Sequence, residues 1–161
     1  MSRTHNKIIA QADLNKVIDR WKEEGQRIVF TNGCFDLLHP GHIDYLEQAK
    51  GKGDKLVIGL NTDRSVSEIK GPERPINNEK FRSILLAALD CVDAVILFDE
   101  STPLQLIKQV KPHILVKGSD YEISNIVGAN DVIKSGGKVE TIPFLEGYSS
   151  TQIIEKIKSK T

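Results

Sequence analysis

Two histidines, a glycine and an aspartate lie within TNGCFDLLHPGHIDYL, residues 31–46, where a hydrophobic strand leads into a helix. His39 and His42 flank the predicted start of that helix at Pro40, a residue favoured in a first helical turn. A helix start presents unpaired backbone N–H groups and the positive end of the helix dipole, which together attract anions. Gly33, directly after the strand, lets the backbone approach a ligand closely. The stretch therefore predicts a phosphate site at which both imidazoles stabilise charge that develops on the phosphate.

A zinc site is the other chemistry that a His-x-x-His pair suggests. A zinc site needs a third ligand at a short and regular spacing, which this sequence lacks. Cys34 and Cys91 lie far apart in the chain and are read most simply as free thiols in a reducing compartment. We therefore predict no metal bound by protein side chains, and a zinc hydrolase remains a weaker alternative.

A second anion site is predicted at the start of the last helix, where Ser149, Ser150 and Thr151 stand in sequence. Their hydroxyls and the free N–H groups of a helix start can bind phosphate together. Taken alone, the run would be a helix cap. On the same sheet edge as the two histidines, it becomes the other end of a triphosphate site.

Three cations are candidates for binding a second phosphate. Lys70 and Arg74 belong to the segment 63–78, which is polar, interrupted by proline and glycine, and predicted to be a long working loop. Either side chain could hold the phosphate of an acceptor, although alone each would be a solvated surface charge. Lys117 ends a predicted strand near the same edge, where a salt bridge to a neighbouring acid is an equal possibility.

Short apolar runs alternate with helical patterns along the chain. Strands are predicted at 27–33, 55–61, 93–98, 113–118 and 138–143. Helices are predicted at 14–24, 40–50, 79–91, 103–110, 129–135 and 149–160. This alternation predicts an α/β fold with a doubly wound parallel sheet, whose ligand binds beyond the carboxyl ends of the strands where strand order reverses.

Composition limits the class of protein. We expect a single domain over residues 1–161, with a lead-in and N-terminal helix in 1–26 and a catalytic core in 27–161. The 22 basic and 22 acidic residues balance, which argues against a general nucleic-acid binder. The N-terminus lacks the apolar core of a signal peptide, and no apolar run approaches the roughly 18 residues of a membrane span. We therefore expect a cytoplasmic protein with no membrane partner.

The run GCFDLLHPGH resembles the G-[TC]-F-D-x-x-H-x-G-H signature of the HxGH nucleotidyltransferase superfamily. NTDRSV, KGPERPIN, FRSILLAALDCVDAVILFDESTP and LVKGSDY then resemble, in order, the D-glycero-D-manno-heptose 1-phosphate adenylyltransferases. The resemblance implies a Rossmann-like, HUP-type sheet of about five parallel strands. In that family the module occurs alone or as half of a bifunctional kinase–adenylyltransferase, and the length of this chain favours the standalone form.

The resemblance also implies a role for individual residues. His39, His42 and Lys70 are implied to be catalytic. The implied nucleotide-binding residues are Asn32, Gly33, Cys34, Phe35, Gly41, Arg82, Gly118, Asp120, Ser149, Ser150 and Thr151. The implied substrate-binding residues are Asp36, Asn61, Asp63, Arg74 and Lys117.

The implied reaction is transfer of AMP from ATP to a sugar 1-phosphate, with Mg²⁺ on the triphosphate. Its small-molecule partners are a sugar phosphate and a nucleoside triphosphate, and analogy with the superfamily implies a homodimer. A cytidylyltransferase acting on glycerol 3-phosphate or a similar alcohol phosphate is the alternative. Such enzymes carry R-T-x-x-x-S-T-T before the last helix, whereas this chain has Phe144 and Leu145 in place of Arg and Thr. A non-catalytic nucleotide sensor is a further alternative, against which the intact histidine pair argues.

Overall fold

The computed structural model describes residues 2–161, and its centre is one parallel β-sheet. The strands are β1 (Ile28–Gly33), β2 (Lys55–Asn61), β3 (Ala94–Phe98), β4 (Ile114–Gly118) and β5 (Lys138–Ile142). Within the described residues they form a five-stranded sheet in the order β3-β2-β1-β4-β5, with parallel pairing throughout. All the predicted strands are confirmed. Strand order reverses between β1 and β4, so a ligand crevice is expected beyond the carboxyl ends of these two strands.

Helices connect the strands and cover both faces of the sheet. They are α1 (Leu14–Glu23), α2 (Pro40–Lys50), α3 (Asp63–Lys70), α4 (Glu79–Ala88), α5 (Leu104–Val110), α6 (Ala129–Lys134) and α7 (Ser150–Ser159). Each predicted helix is confirmed to within a few residues, which is the usual uncertainty of helix ends.

The prediction of a long loop over 63–78 was wrong in its first half, because α3 occupies it. Thr62 caps this helix by accepting a hydrogen bond from the backbone N–H of Ser65 (3.2 Å). The helix has two large apolar residues, Val66 and Ile69, and of these Val66 is buried and Ile69 is exposed, so the pattern by which an amphipathic helix is recognised spans a single turn. Gly71, with φ of 108°, follows it, and the irregular segment begins only there.

The two faces of the sheet carry separate hydrophobic cores. On one, Phe30 of β1 packs with α1, α5 and α6, and we call this the α5 face. On the other, Val29 of β1 packs with α2 and α4, and we call this the α2 face. Successive strand residues point to opposite faces, so position along a strand decides which face a side chain joins. Both faces are buried, as expected for a parallel sheet.

No helix among residues 2–161 combines the length and apolar character needed to cross a membrane.

Candidate active site

A cavity of about 640 Å³ opens beyond the carboxyl ends of the strands, at the reversal between β1 and β4. It is lined from the β1–α2 turn, the end of α3, the residues after β4 and the start of α7. Of the site residues predicted from the sequence, only Arg82 and Asp63 lie outside this lining. The fold therefore brings together residues that are more than 100 positions apart in the chain.

The two histidines form a stacked pair at the start of α2. Their ring centroids are 3.8 Å apart and the ring planes differ by 23°. Nδ1 of His42 accepts a hydrogen bond from the backbone N–H of His39 (3.4 Å). A neutral imidazole whose Nδ1 accepts carries its proton on Nε2. His42 therefore retains an Nε2–H donor for a ligand.

Both imidazoles are neutral at neutral pH. Burial and the neighbouring His39 lower the pKa of His42 to about 4, and burial also lowers the pKa of His39. Because the pKa of His42 lies below its value in an unfolded chain, roughly 6.5, the unfolded chain binds this proton first as the pH falls. The free energy of unfolding should therefore decrease between pH 6.5 and about 4.

An anion beside these imidazoles should reverse this preference for the neutral form, because opposite charge raises the pKa of a histidine. We expect ATP to bind more tightly as the pH is lowered from about 8 to about 6, by at most about tenfold per pH unit for each proton taken up. Titration calorimetry in buffers of different ionisation enthalpy measures the protons taken up. ATP itself titrates in this range, so His42→Asn is the control. Equal proton uptake by that variant would contradict the assignment.

Gly41 permits the histidine arrangement. A Cβ at this position would lie 2.9 Å from Cε1 of His39 and 3.2 Å from Cβ of Tyr148, closer than side chains normally approach. We expect Gly41→Ala to displace the His39 ring and lower kcat by about 100-fold, the scale of effect for a misplaced catalytic group. Gly51→Ala, at the other end of α2, meets nothing closer than 3.4 Å and should leave kcat unchanged. If Gly41→Ala and Gly51→Ala had equal kcat, the position of the His39 ring would not matter for catalysis.

Asp36 binds protein groups in this structure. Its buried carboxylate accepts hydrogen bonds from the backbone N–H groups of Ile76 (2.9 Å) and Asn77 (2.9 Å) and from Nε of Arg74 (2.7 Å). Burial alone would raise the pKa of Asp36, but these three donors outweigh it and hold the pKa below its ordinary value. Asp36 thereby fixes the segment that follows α3. Among the contacts of residues 2–161, Arg74 engages Asp36 through Nε, and its terminal nitrogens are left for an anion.

Arg82 lies beneath the cavity and is fully buried. Its guanidinium donates to the carbonyls of Asn77 (2.9 Å), Cys34 (2.8 Å) and Asn61 (2.8 Å) and to the carboxylate of Asp63 (2.8 Å). Arg82 was expected to contact the nucleotide and Asp63 the substrate. In this arrangement they bind protein groups instead. Arg82 instead joins the ends of β1 and β2, and Asp63 neutralises it. A sequence signal was available, since Arg82 lies one helical turn before buried positions of α4.

Asn61 and Cys34 lie side by side in the cavity wall. The amide nitrogen of Asn61 donates to Oγ of Ser65 (2.8 Å), and its oxygen lies 3.9 Å from the Cys34 thiol. Burial raises the pKa of Cys34, so this side chain is a neutral thiol at neutral pH. Both side chains are thus engaged with protein groups.

The start of α7 forms the opposite wall. Oγ of Ser149 accepts a hydrogen bond from the backbone N–H of Gln152 (3.0 Å), as an N-cap does. Oγ of Ser150 donates to the carbonyl of Leu37 (2.8 Å) and so ties α7 to the β1–α2 turn. Within residues 2–161 the backbone N–H groups of Ser150 and Thr151 in α7 and of Gly41 in α2 have no protein acceptor, so they remain for an anion. Two helix starts therefore line one cavity.

Apart from Phe35, sequence reasoning missed the aromatic side chains of the lining. Tyr148 stacks on His39 with centroids 6.0 Å apart, and Phe144 stacks on Tyr45 at 6.0 Å. A Cβ at Gly118 would lie 2.2 Å from Cζ of Phe144, so only glycine admits that ring. No periodic pattern in the sequence relates these residues. Tyr45, Gly118 and the pair Phe144 and Tyr148 come from three separate segments, which only the fold brings together. Aromatic faces of this kind can stack on a nucleobase.

Lys117 places a cation in the same cavity. Its Nζ lies 5.3 Å from the ring centre of Tyr121, within cation–π range. Burial lowers the pKa of Lys117, while the nearby Asp120 opposes that shift. Within residues 2–161 the lysine makes no ion pair closer than 4 Å, so the salt bridge considered as its alternative role is not formed.

A doubly wound sheet with anion-binding groups at its switch point is the architecture of the Rossmann-like nucleotidyltransferases. The profile of the cytidylyltransferase-like family matches residues 30–156, and the chain belongs to that family. It is a nucleotidyltransferase.

Two relatives are similar to this chain over most of its length. The chain is 53% identical over 150 residues to the bifunctional protein HldE of Koribacter versatilis, which covers 93% of this chain and 31% of that protein. It is 55% identical over 142 residues to the bifunctional protein HldE of Methylobacillus flagellatus, which covers 88% of this chain and 29% of that protein. The chain therefore spans about a third of the length of these relatives.

Two solved structures share the architecture. One is a lipopolysaccharide core biosynthesis protein from Thermoplasma volcanium, 33% identical with a TM-score of 0.61, covering 78% of this chain and 100% of that chain. The other is a pantoate-beta-alanine ligase from Francisella tularensis, 17% identical with a TM-score of 0.64, covering 94% of this chain and 76% of that chain. The predicted Rossmann-like fold is confirmed.

Proposed function

We propose that this protein transfers AMP from ATP to D-glycero-D-manno-heptose 1-phosphate, giving ADP-heptose and pyrophosphate. The observation that carries the proposal is that two anion sites share one cavity. The starts of α2 and α7 both line this cavity, and so do His39 and His42. The relatives named HldE, about half identical over nearly the whole chain, support adenylyl transfer. The choice of heptose 1-phosphate as acceptor rests on the sequence resemblance alone. The protein would act as one nucleotidyltransferase domain in the cytoplasm, where ATP is available.

The chemistry requires positioning and charge stabilisation. A phosphate oxygen of the acceptor attacks the α-phosphorus of ATP in line, and the bond from that phosphorus to pyrophosphate breaks. The triphosphate would run from the start of α2 to the start of α7. Nε2–H of His42, with His39 stacked on it, would donate to α-phosphoryl oxygens as their charge rises. Phosphate is already a nucleophile, so the protein needs no covalent intermediate.

Mg²⁺ would enter with ATP as part of the substrate. Among residues 2–161 no group of three or more histidine, cysteine or acidic side chains could hold a metal ion. Asp36 and Asp120 are the carboxylates of the cavity lining, and Asp36 is engaged by Arg74. This donor set fits an ion that keeps water and phosphate oxygens as most of its ligands, with Asp120 nearby. When bound, the ion neutralises charge on the triphosphate.

Cations of the cavity lining would hold the acceptor. They are Lys70 at the end of α3, Lys117 at the end of β4 and Arg74, whose terminal nitrogens are free of protein partners among the described residues. Asp36 keeps Arg74 in place through a buried ion pair of 2.7 Å. These cations would align the acceptor phosphate with the α-phosphorus, which is the main contribution that an enzyme makes to such a transfer.

Parallel assays of pyrophosphate release test the proposal. ATP and CTP are each supplied with heptose 1-phosphate and with glycerol 3-phosphate. We expect release mainly with ATP and heptose 1-phosphate. Release mainly with CTP and glycerol 3-phosphate would replace the proposal with the cytidylyltransferase alternative. No release with any pair would favour a nucleotide sensor.

We also propose that the protein forms a homodimer. Phe81 and Leu85 lie one turn apart on α4, and their side chains are exposed. An apolar surface of this kind suits contact with a second copy of the chain. Light scattering of the purified protein measures its mass, and a monomer at all concentrations would refute the dimer.

A further inference from the structure

The cavity reaches both faces of the sheet, and its two sides differ in chemistry. Alternation along β4 places Leu115 in the core of the α5 face and Val116 in the core of the α2 face. Lys117 therefore belongs to the α5 face and Gly118 to the α2 face. His42 belongs to α2 and His39 is the residue directly before it, so the stacked histidines lie on the α2 side. We call the part of the cavity lined by Asn32, Phe98, Ser101, Pro103, Lys117 and Tyr121 the α5-face lobe.

Asn32 belongs to the α5-face lobe. The hydroxyl of Thr31, one position earlier, bonds with the hydroxyl of Tyr45 in α2 (2.8 Å), so Thr31 points to the α2 face. A Cβ built on Gly59, which pairs with Asn32 across the strands, would approach Phe30, Leu106 of α5 and Cβ of Asn32. Phe30, Leu106 and Asn32 therefore share one face.

Oδ1 of Asn32 is a buried acceptor for which residues 2–161 provide no hydrogen-bond donor. Asn61, the corresponding amide at the end of β2, has both ends engaged by Ser65 and Cys34. Burying a polar group without a partner is unfavourable, and such groups are rare in folded proteins. An unpartnered acceptor in a cavity wall is best explained by a ligand that supplies the donor.

The chemistry of the expected ligands identifies that donor. Phosphate groups at neutral pH present acceptor oxygens, which would repel Oδ1 and which suit Lys117. The helix starts and histidines that hold the triphosphate lie on the α2 side. The ligands offer as donors the hydroxyl groups of the acceptor sugar, the ribose hydroxyls and the adenine amino group. Tyr148 and Phe144, whose rings can stack on a nucleobase, lie against His39 and Tyr45 on the α2 side. The nucleoside is therefore expected on that side, which leaves the acceptor sugar as the donor for the α5-face lobe.

We propose that the α5-face lobe holds the acceptor, with Oδ1 of Asn32 accepting a hydrogen bond from a sugar hydroxyl while Lys117 contacts the acceptor phosphate. This inference rests on the proposed function and adds a residue that selects the acceptor. Asn32 discriminates a polyhydroxylated phosphate from a phosphate without hydroxyls, because an acceptor lacking the hydroxyl leaves Oδ1 unpaired.

Asn32→Leu tests the inference, since leucine has a similar shape and no acceptor atom. We expect its KM for heptose 1-phosphate to rise by roughly tenfold or more, the scale of one buried hydrogen bond, with KM for ATP unchanged. Thr31→Val is the matched control, because it removes a buried hydroxyl from the adjacent position on the other face. It should leave the ratio of the two KM values as in the wild type. Thermal melts establish that each variant is folded.

The outcomes separate the inference from the proposed function. If the wild type uses heptose 1-phosphate but Asn32→Leu raises KM for ATP alone, the inference is wrong and the function stands. If the wild type uses no heptose phosphate, the function is wrong. Calorimetric binding of glycerol 3-phosphate to wild type and Asn32→Leu then decides the inference, and equal dissociation constants overturn it.

A second measurement covers failure of Asn32→Leu to fold. Wild-type protein is assayed with a series of heptose 1-phosphates, each lacking one hydroxyl. One member should lose roughly tenfold or more in kcat/KM, because it leaves the buried acceptor unpaired. An even response across the series would overturn the inference.

Discussion

His42→Ala should lower kcat by about 100-fold or more, while KM for ATP changes far less. The reason is that the hydrogen bond at Nδ1 and the stack on His39 orient the His42 imidazole, so that its Nε2–H can donate to the reacting phosphate. A donor that acts mainly in the transition state contributes to kcat and little to ground-state binding. Steady-state kinetics with ATP and heptose 1-phosphate measure both constants.

His113→Ala is the matched control for the loss of an imidazole. Nδ1 of His113 accepts a hydrogen bond from the backbone N–H of Ile28 (2.9 Å), at the opposite ends of β1 and β4 from the cavity. That variant should melt at a lower temperature and keep the kcat of its folded fraction. A near-native kcat for His42→Ala would remove His42 from the mechanism.

Arg82→Met should be among the most destabilising single changes in this protein. Removing the guanidinium leaves three carbonyls and the Asp63 carboxylate without their donor, at a residue with 0% exposure. The Asp63 side chain is 41% exposed and can be solvated, so the cost falls mainly on the carbonyls. Leaving a buried acceptor without its donor costs about 1–3 kcal/mol, so the loss of three such donors amounts to at least about 3 kcal/mol. For a chain of this size each kcal/mol lowers the melting temperature by about 2–4 °C, so we expect a decrease of about 10 °C. Denaturant and thermal unfolding measure the loss.

Arg64→Met provides a control of matched chemistry. Arg64 bonds with Asp99 and Glu68 at least as extensively as Arg82 bonds with its partners, yet its side chain is 59% exposed. Exposed ion pairs are solvated and contribute little, so this variant should unfold almost as the wild type does. If Arg82→Met and Arg64→Met lowered the free energy of unfolding by similar amounts, burial of the arginine would not be the cause of the loss.

Arg82→Lys separates support from direct nucleotide contact. Lysine retains the charge for Asp63 but cannot reach three carbonyls in the fork geometry of a guanidinium. We expect reduced stability and reduced kcat together, because the ends of β1 and β2 lose their common donor. An increased KM for ATP with unchanged stability would restore the direct contact that the sequence resemblance implied.

The sequence was most informative where local physics decides the structure. Apolar runs such as KLVIGLN, followed by glycine or polar residues, are sufficient to predict buried strands, and all of them were confirmed. The anion-binding character of GCFDLLHPGH also follows locally, because Pro40 begins a helix and Gly33 ends a strand. The helix α3 escaped prediction because it is short, and its apolar pattern is confined to Val66 and Ile69, one turn apart, directly before a segment rich in proline and glycine.

Only the tertiary structure decided which groups the charged and polar side chains bind. Asp36 and Arg74 are 38 positions apart, and Arg82 donates to a carbonyl 48 positions away. Contacts over such separations cannot be predicted from spacing in the sequence. The sequence by itself determined which residues gather at the carboxyl edge of the sheet. Packing determined which of them are engaged by protein groups, as Asp36 and Arg82 are, and which retain unpaired atoms for a ligand, as His42 and Asn32 do. The physical reason is that hydrogen-bond satisfaction depends on distances between segments, and only the folded chain sets those distances.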